Sequence, residues 1–204
     1  HFIVENLRTA RRTLRKMGYQ KNFDTEVLFY EIEKHHNPSD NVVIDWMKKG
    51  TTIGILSEAG LPCIADPGAH YVSLAYRHSY HVIPLSGPSS ILLALIASGF
   101  HGQNFAFNGY LPIDKSDRLQ KLKELETRVV QENQTQLFMD TPYRNMTLYE
   151  DILKHCSGSI SLHISADLTS ATAYSLSQTI GEWKRSAPPN LHKRPAIFVL
   201  GIKQ

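Results

Sequence analysis

The chain has 204 residues, of which 42% are hydrophobic and 20% charged, and its formal net charge is +3. This composition predicts a packed globular protein and permits a polyanionic partner without requiring one. The two cysteines exclude a disulfide scaffold or a cysteine-rich zinc site, and the histidines lack metal-binding spacing. The longest aliphatic run, residues 91–97, is too short to span a membrane. We therefore expect a cytoplasmic protein with neither a metal nor a membrane partner.

The first half of the chain alternates strand and helix patterns. Apolar or β-branched runs predict strands at residues 2–4, 27–32, 51–56 and 81–85. Capping residues and glycines predict helices in between, with Asn6 as the first N-cap, over residues 7–17, 37–49, 69–78 and 89–98. Continuous apolar strands joined by crossover helices favour a mostly parallel α/β sheet.

The second half changes character after Phe100. Gly102, Gly109 and Pro112 predict a connector, so we place a boundary between domains 1–110 and 111–204. A charged helix is then predicted at residues 114–132 and another helix at 142–155. Strand patterns occupy residues 136–139, 160–165, 171–179 and 196–201. These elements predict a second α/β domain.

Two loops rich in small residues follow predicted strands, at residues 57–68 and 86–90. Ligands of parallel sheets bind at the carboxyl ends of strands, and small residues let the backbone approach a ligand closely. The second loop leads into a helix N-terminus, which favours an anion or polar acceptor. Ordinary strand-to-helix turns are the alternative for either loop. Neither loop has a GxGxxG or Walker A pattern, which argues against a common dinucleotide or P-loop site.

These loops resemble those of a known family. Residues 57–68 resemble the SDAGTPxxSDPG signature of the 16S ribosomal RNA cytidine 2′-O-methyltransferases, which belong to the tetrapyrrole methylase superfamily. Residues 85–89 are similar to the family's LPGPS turn, 109–112 to its GFLP connector and 141–144 to its ESPHR segment. The similarities follow the same order along essentially the whole chain.

The resemblance implies a two-domain fold of the tetrapyrrole methylase type, with a mostly parallel sheet in the first domain and a mixed sheet in the second. It also implies that the family's first strand precedes His1 and is absent from this chain. It implies a homodimer that binds S-adenosylmethionine in the cleft between the domains. The implied cofactor-binding residues are Ala59, Gly60, Leu61, Pro62, Ile64, Gly87, Pro88, Ser89, Ser90, Met139, Asp140, Thr141, Ala166, Pro195, Ala196 and Ile197. From the residues alone, 196–200 is simply an apolar core strand.

A ribose hydroxyl that accepts a methyl group must lose its proton, so a nearby carboxylate can assist the reaction. Asp140 and Glu58 are the candidates for this catalytic role, because both follow predicted strands. Asp66 is expected instead to cap the next helix. Tyr143 and Arg144 are candidates for binding substrate, although Arg144 has a surface position as its alternative.

The first predicted helix has a basic face. At 3.6 residues per turn, five cations fall on an arc of roughly 140°, namely Arg8, Arg11, Arg12, Arg15 and Lys16. Such a face suits RNA phosphates, and Arg8 and Arg12 are our candidate substrate contacts there. A solvated outer face of a helix that packs on the sheet is the alternative.

The sequence departs from the family where substrate contacts are expected. Asp140 and Tyr143 replace the Glu and His of the ESPHR segment, and residues 166–170 lack the Arg and Lys of the family's RELTK segment. The first hypothesis is a methyltransferase that acts on a ribose 2′-hydroxyl of ribosomal RNA. One alternative is methylation of a tetrapyrrole or another small molecule. A catalytically inactive homologue that binds cofactor or RNA is the other.

Overall fold

The computed structural model describes residues 1–32 and 40–203, which form two compact units, His1–Pro88 and Ser89–Gln204. The domain boundary between residues 110 and 111 stays a prediction. The second compact unit already includes the helix that starts at Ser90, because this helix packs on the second sheet. The expected start of the second helix at 37–39 lies outside the described residues.

The first unit is built on a three-stranded sheet in the order β2-β1-β3. Its strands are β1 (Phe2–Val4), β2 (Phe29–Glu31) and β3 (Gly54–Leu56). Both ladders are parallel, with Ile3 opposite Tyr30 and Ile55. Ile3 is fully buried, as expected for a central strand covered on both faces. The parallel sheet predicted for the first domain is confirmed.

Three helices are described in this unit, α1 (Leu7–Lys16), α2 (Asp40–Lys48) and α3 (Ala69–Arg77). The Asn6 side chain accepts a hydrogen bond from the backbone N–H of Thr9 at 3.0 Å, so the predicted N-cap is confirmed. Helices α2 and α3 pack against Ile3 through a cluster that includes Trp46 and Leu74.

The strand predicted at residues 81–85 is wrong. These residues join no ladder in the described part of the chain, and Ile83 and Leu85 are exposed. The apolar run of the segment predicted a strand, but a strand also needs a partner for its backbone groups.

The second unit is built on a five-stranded sheet in the order β4-β5-β8-β6-β7. Its strands are β4 (Phe105–Tyr110), β5 (Thr135–Met139), β6 (Ser161–Ala166), β7 (Tyr174–Thr179) and β8 (Ala196–Gly201). Strands β4 and β5 are parallel and the other pairs antiparallel, so the predicted mixed sheet is confirmed. The connector predicted from Gly102 and Gly109 is wrong in part, because it contains β4. Gly109, with φ +65°, lies where the β4–β5 register shifts.

Helices cover both faces of this sheet. Leu137 and Val199 face α4 (Ser90–Ser98), whereas their neighbours Phe138 and Phe198 face the larger core. That core is closed by α5 (Lys115–Glu132), α6 (Asn145–His155) and α7 (Ile180–Trp183). In the described residues, no helix is long and apolar enough to cross a bilayer.

Candidate functional site

The two loops of the first unit that carry the family resemblance lie against each other. A Cβ atom added to Gly87 would lie 2.8 Å from Cδ2 of Leu61, and one added to Gly60 would lie 3.9 Å from the carbonyl oxygen of Pro88. The missing side chain at Gly87 therefore permits this approach. Four of the predicted cofactor-binding residues meet here.

The loop at residues 57–68 is folded on itself. The Ser57 hydroxyl donates to the Gly60 carbonyl at 3.2 Å, and the Cys63 N–H donates to the Pro67 carbonyl at 3.4 Å. Cys63 and Ala65 have φ angles of 70° and 62°, which are unfavourable for residues with a side chain. Such strain clusters at functional sites. Burial raises the pKa of the Cys63 thiol, which favours an inert side chain.

Carboxylates gather where α1 approaches this loop. The Thr9 hydroxyl donates to Glu58 Oε1 at 2.8 Å, and the Glu58 N–H donates to Glu5 Oε1 at 3.1 Å. The pKa of Asp66 is raised by burial and, less strongly, by the charges of Glu5 and Glu58. The adjoining cavity, of about 70 Å³, is too small for a nucleoside, since ligand pockets start near roughly 300 Å³.

Asp66 does not cap the next helix, so that prediction is wrong. The N-cap of α3 is Gly68, and no side chain accepts a hydrogen bond there. Gly68 has a φ of 130°, a conformation that glycine adopts readily. A carboxylate two residues earlier is therefore not used by the helix.

Among the described residues, no group of three or more potential ligands is placed to hold a metal ion.

The basic face of α1 divides into structural and free cations. Arg11 pairs with Asp24 at 3.0 Å and also donates to the Phe23 carbonyl. The Arg15 guanidinium lies 3.9 Å from the centroid of the Phe23 ring. These two arginines therefore hold the following loop. The remaining cations are exposed and have no hydrogen bond or ion pair with any described residue: Arg8, Arg12 and Lys16.

In the second unit, five more of the predicted cofactor-binding residues lie at one end of the sheet, on β5, β6 and β8 and in the loop before β8. Met139 at the end of β5 lies opposite Ile197, and Ala196 lies opposite Ala166. The Asp167 N–H donates to the Pro195 carbonyl at 3.0 Å. Because β8 runs antiparallel to β5 and β6, its start meets their ends. This convergence is set by the register of three strands.

Asp140 and Arg144 form an ion pair directly after β5. The Asp140 side chain is 1% exposed, and its Oδ1 accepts hydrogen bonds from the Thr141 N–H at 2.6 Å and from Arg144 Nη2. The Arg144 side chain is half-buried, at 27% exposed, and both its role in binding substrate and its surface alternative stay predictions. Its Nε and Nη1 are buried and have no partner among the described residues, and the same holds for Asn145 Oδ1. Donors that lack a partner are unusual inside a protein.

Sequence reasoning missed the arginine that joins the two loops beside this pair. Arg194 donates to Asp167 Oδ2 at 2.7 Å and also to the Thr172 carbonyl. The hydrogen bond from Arg194 holds the pKa of Asp167 below its usual value. The Asn145 amide donates to the Arg194 carbonyl at 2.7 Å. No sequence signal identifies Arg194, because these contacts connect residues 22 to 49 positions apart.

The fold is that of the tetrapyrrole methylases. The chain is similar to the crystal structure of the methyltransferase CobJ, with a TM-score of 0.59 and 13% identity over 98% of this chain and 82% of that one. It is also similar to the cobalamin biosynthetic enzyme cobalt precorrin-4 methyltransferase, CbiF, with a TM-score of 0.57, 12% identity and the same coverage.

In sequence, the chain is similar to proteins named ribosomal RNA small subunit methyltransferase I. It is 35% identical to the Bacillus subtilis protein over 65% of this chain and 44% of that protein. It is 30% identical to the Vibrio cholerae protein over 72% of this chain and 50% of that protein. The resemblance stated from the motifs is thereby confirmed. The chain spans about half the length of these curated relatives, and no family model matches it.

Proposed function

We propose that this chain is an S-adenosylmethionine-dependent methyltransferase whose acceptor is a ribose 2′-hydroxyl of ribosomal RNA. The observation that carries the proposal is its similarity to curated relatives named ribosomal RNA small subunit methyltransferase I. The proximity of four predicted cofactor-binding residues in the first unit, and of four more at one end of the second sheet, supports it. By the same resemblance, we propose a cytoplasmic homodimer.

The residues of the second unit fit a polar nucleoside cofactor. Among the described residues, two buried donors of Arg144 and one buried acceptor of Asn145 have no partner, close in sequence to the end of β5. S-adenosylmethionine has a carboxylate and hydroxyls that suit such groups, and when bound it supplies a methyl group already activated on sulfur. The small side chains of Ala166 and Ala196 leave room at the same end of the sheet.

Asp140 orients Arg144 and is one candidate to accept the proton of the substrate hydroxyl. Its Oδ1 is engaged by two donors, which fixes the carboxylate in place. Glu58 is the other candidate and is more exposed, with a hydroxyl donor from Thr9. A carboxylate must be ionised to act as a base. The base is whichever of Asp140 and Glu58 lies within hydrogen-bond reach of the substrate hydroxyl.

The free cations of α1 support RNA as the substrate. Arg8, Arg12 and Lys16 are exposed on one face and make no ion pair with a described residue. An anionic backbone gains from such unpaired cations through release of its counterions. The overall net charge of +3 is too small to indicate RNA by itself, so the local placement matters more.

Two measurements test the proposal. Isothermal calorimetry should detect binding of S-adenosylmethionine, and a labelled methyl group should pass from it into small ribosomal subunits. Binding with methyl transfer only to a tetrapyrrole would favour the small-molecule alternative. RNA binding without methyl transfer, with S-adenosylhomocysteine removed beforehand, would favour the inactive homologue and refute the enzymatic proposal.

A further inference from the structure

An exposed pair of rings lies beside the predicted cofactor-binding residues of the second unit. Tyr143 precedes α6, and His192 lies in the loop before β8. Their ring centroids are 6.3 Å apart and the planes meet at 82°. Tyr143 is 71% exposed, so its ring is open to a ligand.

A cation completes this cluster. The Lys193 Nζ lies 5.8 Å from the centroid of the Tyr143 ring, within the range of a cation–π contact. We call Tyr143, His192 and Lys193 the aromatic platform. None of the hydrogen bonds or ion pairs among the described residues uses the side chain of Lys193 or of His192. Both side chains can therefore meet a ligand without losing such a bond.

The backbone beneath the platform is held in place. The Lys193 N–H donates to the Pro142 carbonyl at 3.1 Å, and the Asn145 amide donates to the Arg194 carbonyl at 2.7 Å. Lys193 has a φ of 60°, which is unfavourable for a lysine and persists here because these bonds fix the loop. The backbone that carries the rings therefore requires little ordering when a ligand binds, which favours affinity.

We propose that the aromatic platform stacks an unpaired nucleotide of the RNA substrate, which rests on the proposed function. Bases of single-stranded RNA stack on tyrosine and histidine rings, and a lysine beside the rings meets the adjacent phosphate. Tyr143 lies two residues after Thr141, and Lys193 lies two residues before Pro195. Thr141 and Pro195 are both predicted to bind the cofactor. A nucleotide held there lies next to those residues along both chain segments. Double-stranded RNA offers no free base face and cannot use the rings in this way.

The test measures RNA affinity by fluorescence anisotropy with a labelled single-stranded RNA of about ten nucleotides and with its duplex. Tyr143→Ala should weaken binding of the single strand by roughly five- to a hundredfold, the range for loss of one stacked base. Tyr143→Phe should bind nearly as well as the wild type, because the ring is retained. Tyr76→Ala, at a tyrosine of α3 that is 64% exposed, is the matched control and should have no effect.

Equal binding by Tyr143→Ala and the wild type would overturn the platform. So would an equal loss in Tyr143→Phe, since the hydroxyl rather than the ring would then matter, or equal use of the duplex. His192→Ala provides a second variant at an exposed site, and circular dichroism verifies that each variant is folded. Pull-down of a protein partner that Tyr143→Ala releases, with RNA affinity unchanged, would assign the rings to a protein surface and refute the proposal.

A parallel methylation assay separates this proposal from the proposed function. If the wild type methylates small ribosomal subunits, the platform predicts a higher KM for Tyr143→Ala, and an unchanged KM refutes the platform alone. If the wild type transfers no methyl group but its RNA binding depends on the Tyr143 ring, the proposed enzymatic function fails and the stacking platform stands.

Discussion

A buried histidine should make the second unit sensitive to acid. His163 on β6 is 1% exposed, and its two ring nitrogens contact the hydroxyls of Ser177 at 2.8 Å and Ser165 at 2.7 Å. The Ser177 hydroxyl donates onward to the Ser98 carbonyl of α4 at 3.0 Å. None of these partners is a carboxylate that would stabilise a charged imidazole. Burial therefore lowers the pKa of His163 from 6.5 to about 4.

The sign of the effect follows from which state binds the proton. Below pH 6.5 the unfolded chain protonates its histidine, whereas folded His163 stays neutral until the pH approaches about 4. Its contribution to stability is therefore complete above pH 6.5 and is lost as the pH falls. One pKa unit corresponds to about 1.4 kcal/mol, so the second unit should lose about 2 kcal/mol between about pH 7 and about pH 5.

Urea unfolding, followed by the fluorescence of Trp183 in a Trp46→Phe background, measures this change in the second unit. The His163→Gln variant removes the titrating ring and should be nearly independent of pH over the same range. His192→Gln, at an exposed position, is the control and should keep the wild-type slope. A His163→Gln variant with the same pH slope as its parent would refute the reasoning.

Three further predictions concern the loops and the core. Gly60→Ala should weaken S-adenosylmethionine binding at least about tenfold by calorimetry. Gly50→Ala is the control and should leave binding unchanged, because Gly50 has a similar φ and nothing lies within 4 Å of an added Cβ. Equal affinities of the two variants would contradict a role for the loop. Arg118→Met should lower the free energy of unfolding in urea by about 3 kcal/mol, because it leaves buried Asp151 unpaired. Adding Asp151→Leu should restore part of this stability. An unchanged stability of Arg118→Met would contradict the prediction and show that water can solvate Asp151. Asp140→Asn should lower kcat for methyl transfer roughly a hundredfold, and full turnover would exclude Asp140 as the base.

Local signals in the sequence predicted elements whose ends are chemically marked. Asn6, Ser89 and Asp114 each accept a hydrogen bond at a helix N-terminus in the structure, as their side chains allow. The mixed sheet was expected from the family resemblance rather than from these signals. At these three helices the donor and acceptor lie three residues apart, so no distant segment is needed to satisfy them, whereas the cap predicted at Asp66 is wrong, since Gly68 is the N-cap of α3.

The errors arose where the decisive partner is distant in sequence. Strand β4 contains Gly109 and precedes Pro112, a turn-like pattern, yet its pairing with β5 makes it a strand. The segment at 81–85 is the opposite case, because it has the composition of a strand but pairs with no other strand among the described residues. Strand identity depends on a neighbour that can satisfy the backbone, and composition does not reveal that neighbour. The contact between the loops at residues 57–68 and 86–90 was easier to predict, because both loops resemble motifs of one family.

The segment after β6, which departs from the family pattern, is bonded to an arginine from another loop. Residues 166–170 lack the arginine that the family pattern has there, which motivated the hypothesis of an inactive homologue. In the structure, the guanidinium of Arg194, from another loop, bonds to Asp167 and to the Thr172 carbonyl. The same loop receives the Asn145 amide beside the Asp140–Arg144 pair. The pairing of Asp167 with Arg194 therefore joins the segment after β6 to the loop before β8, close in sequence to the predicted cofactor positions Ala166 and Pro195. The two buried Arg144 donors have no partner among the described residues, and they are where a bound ligand would supply one.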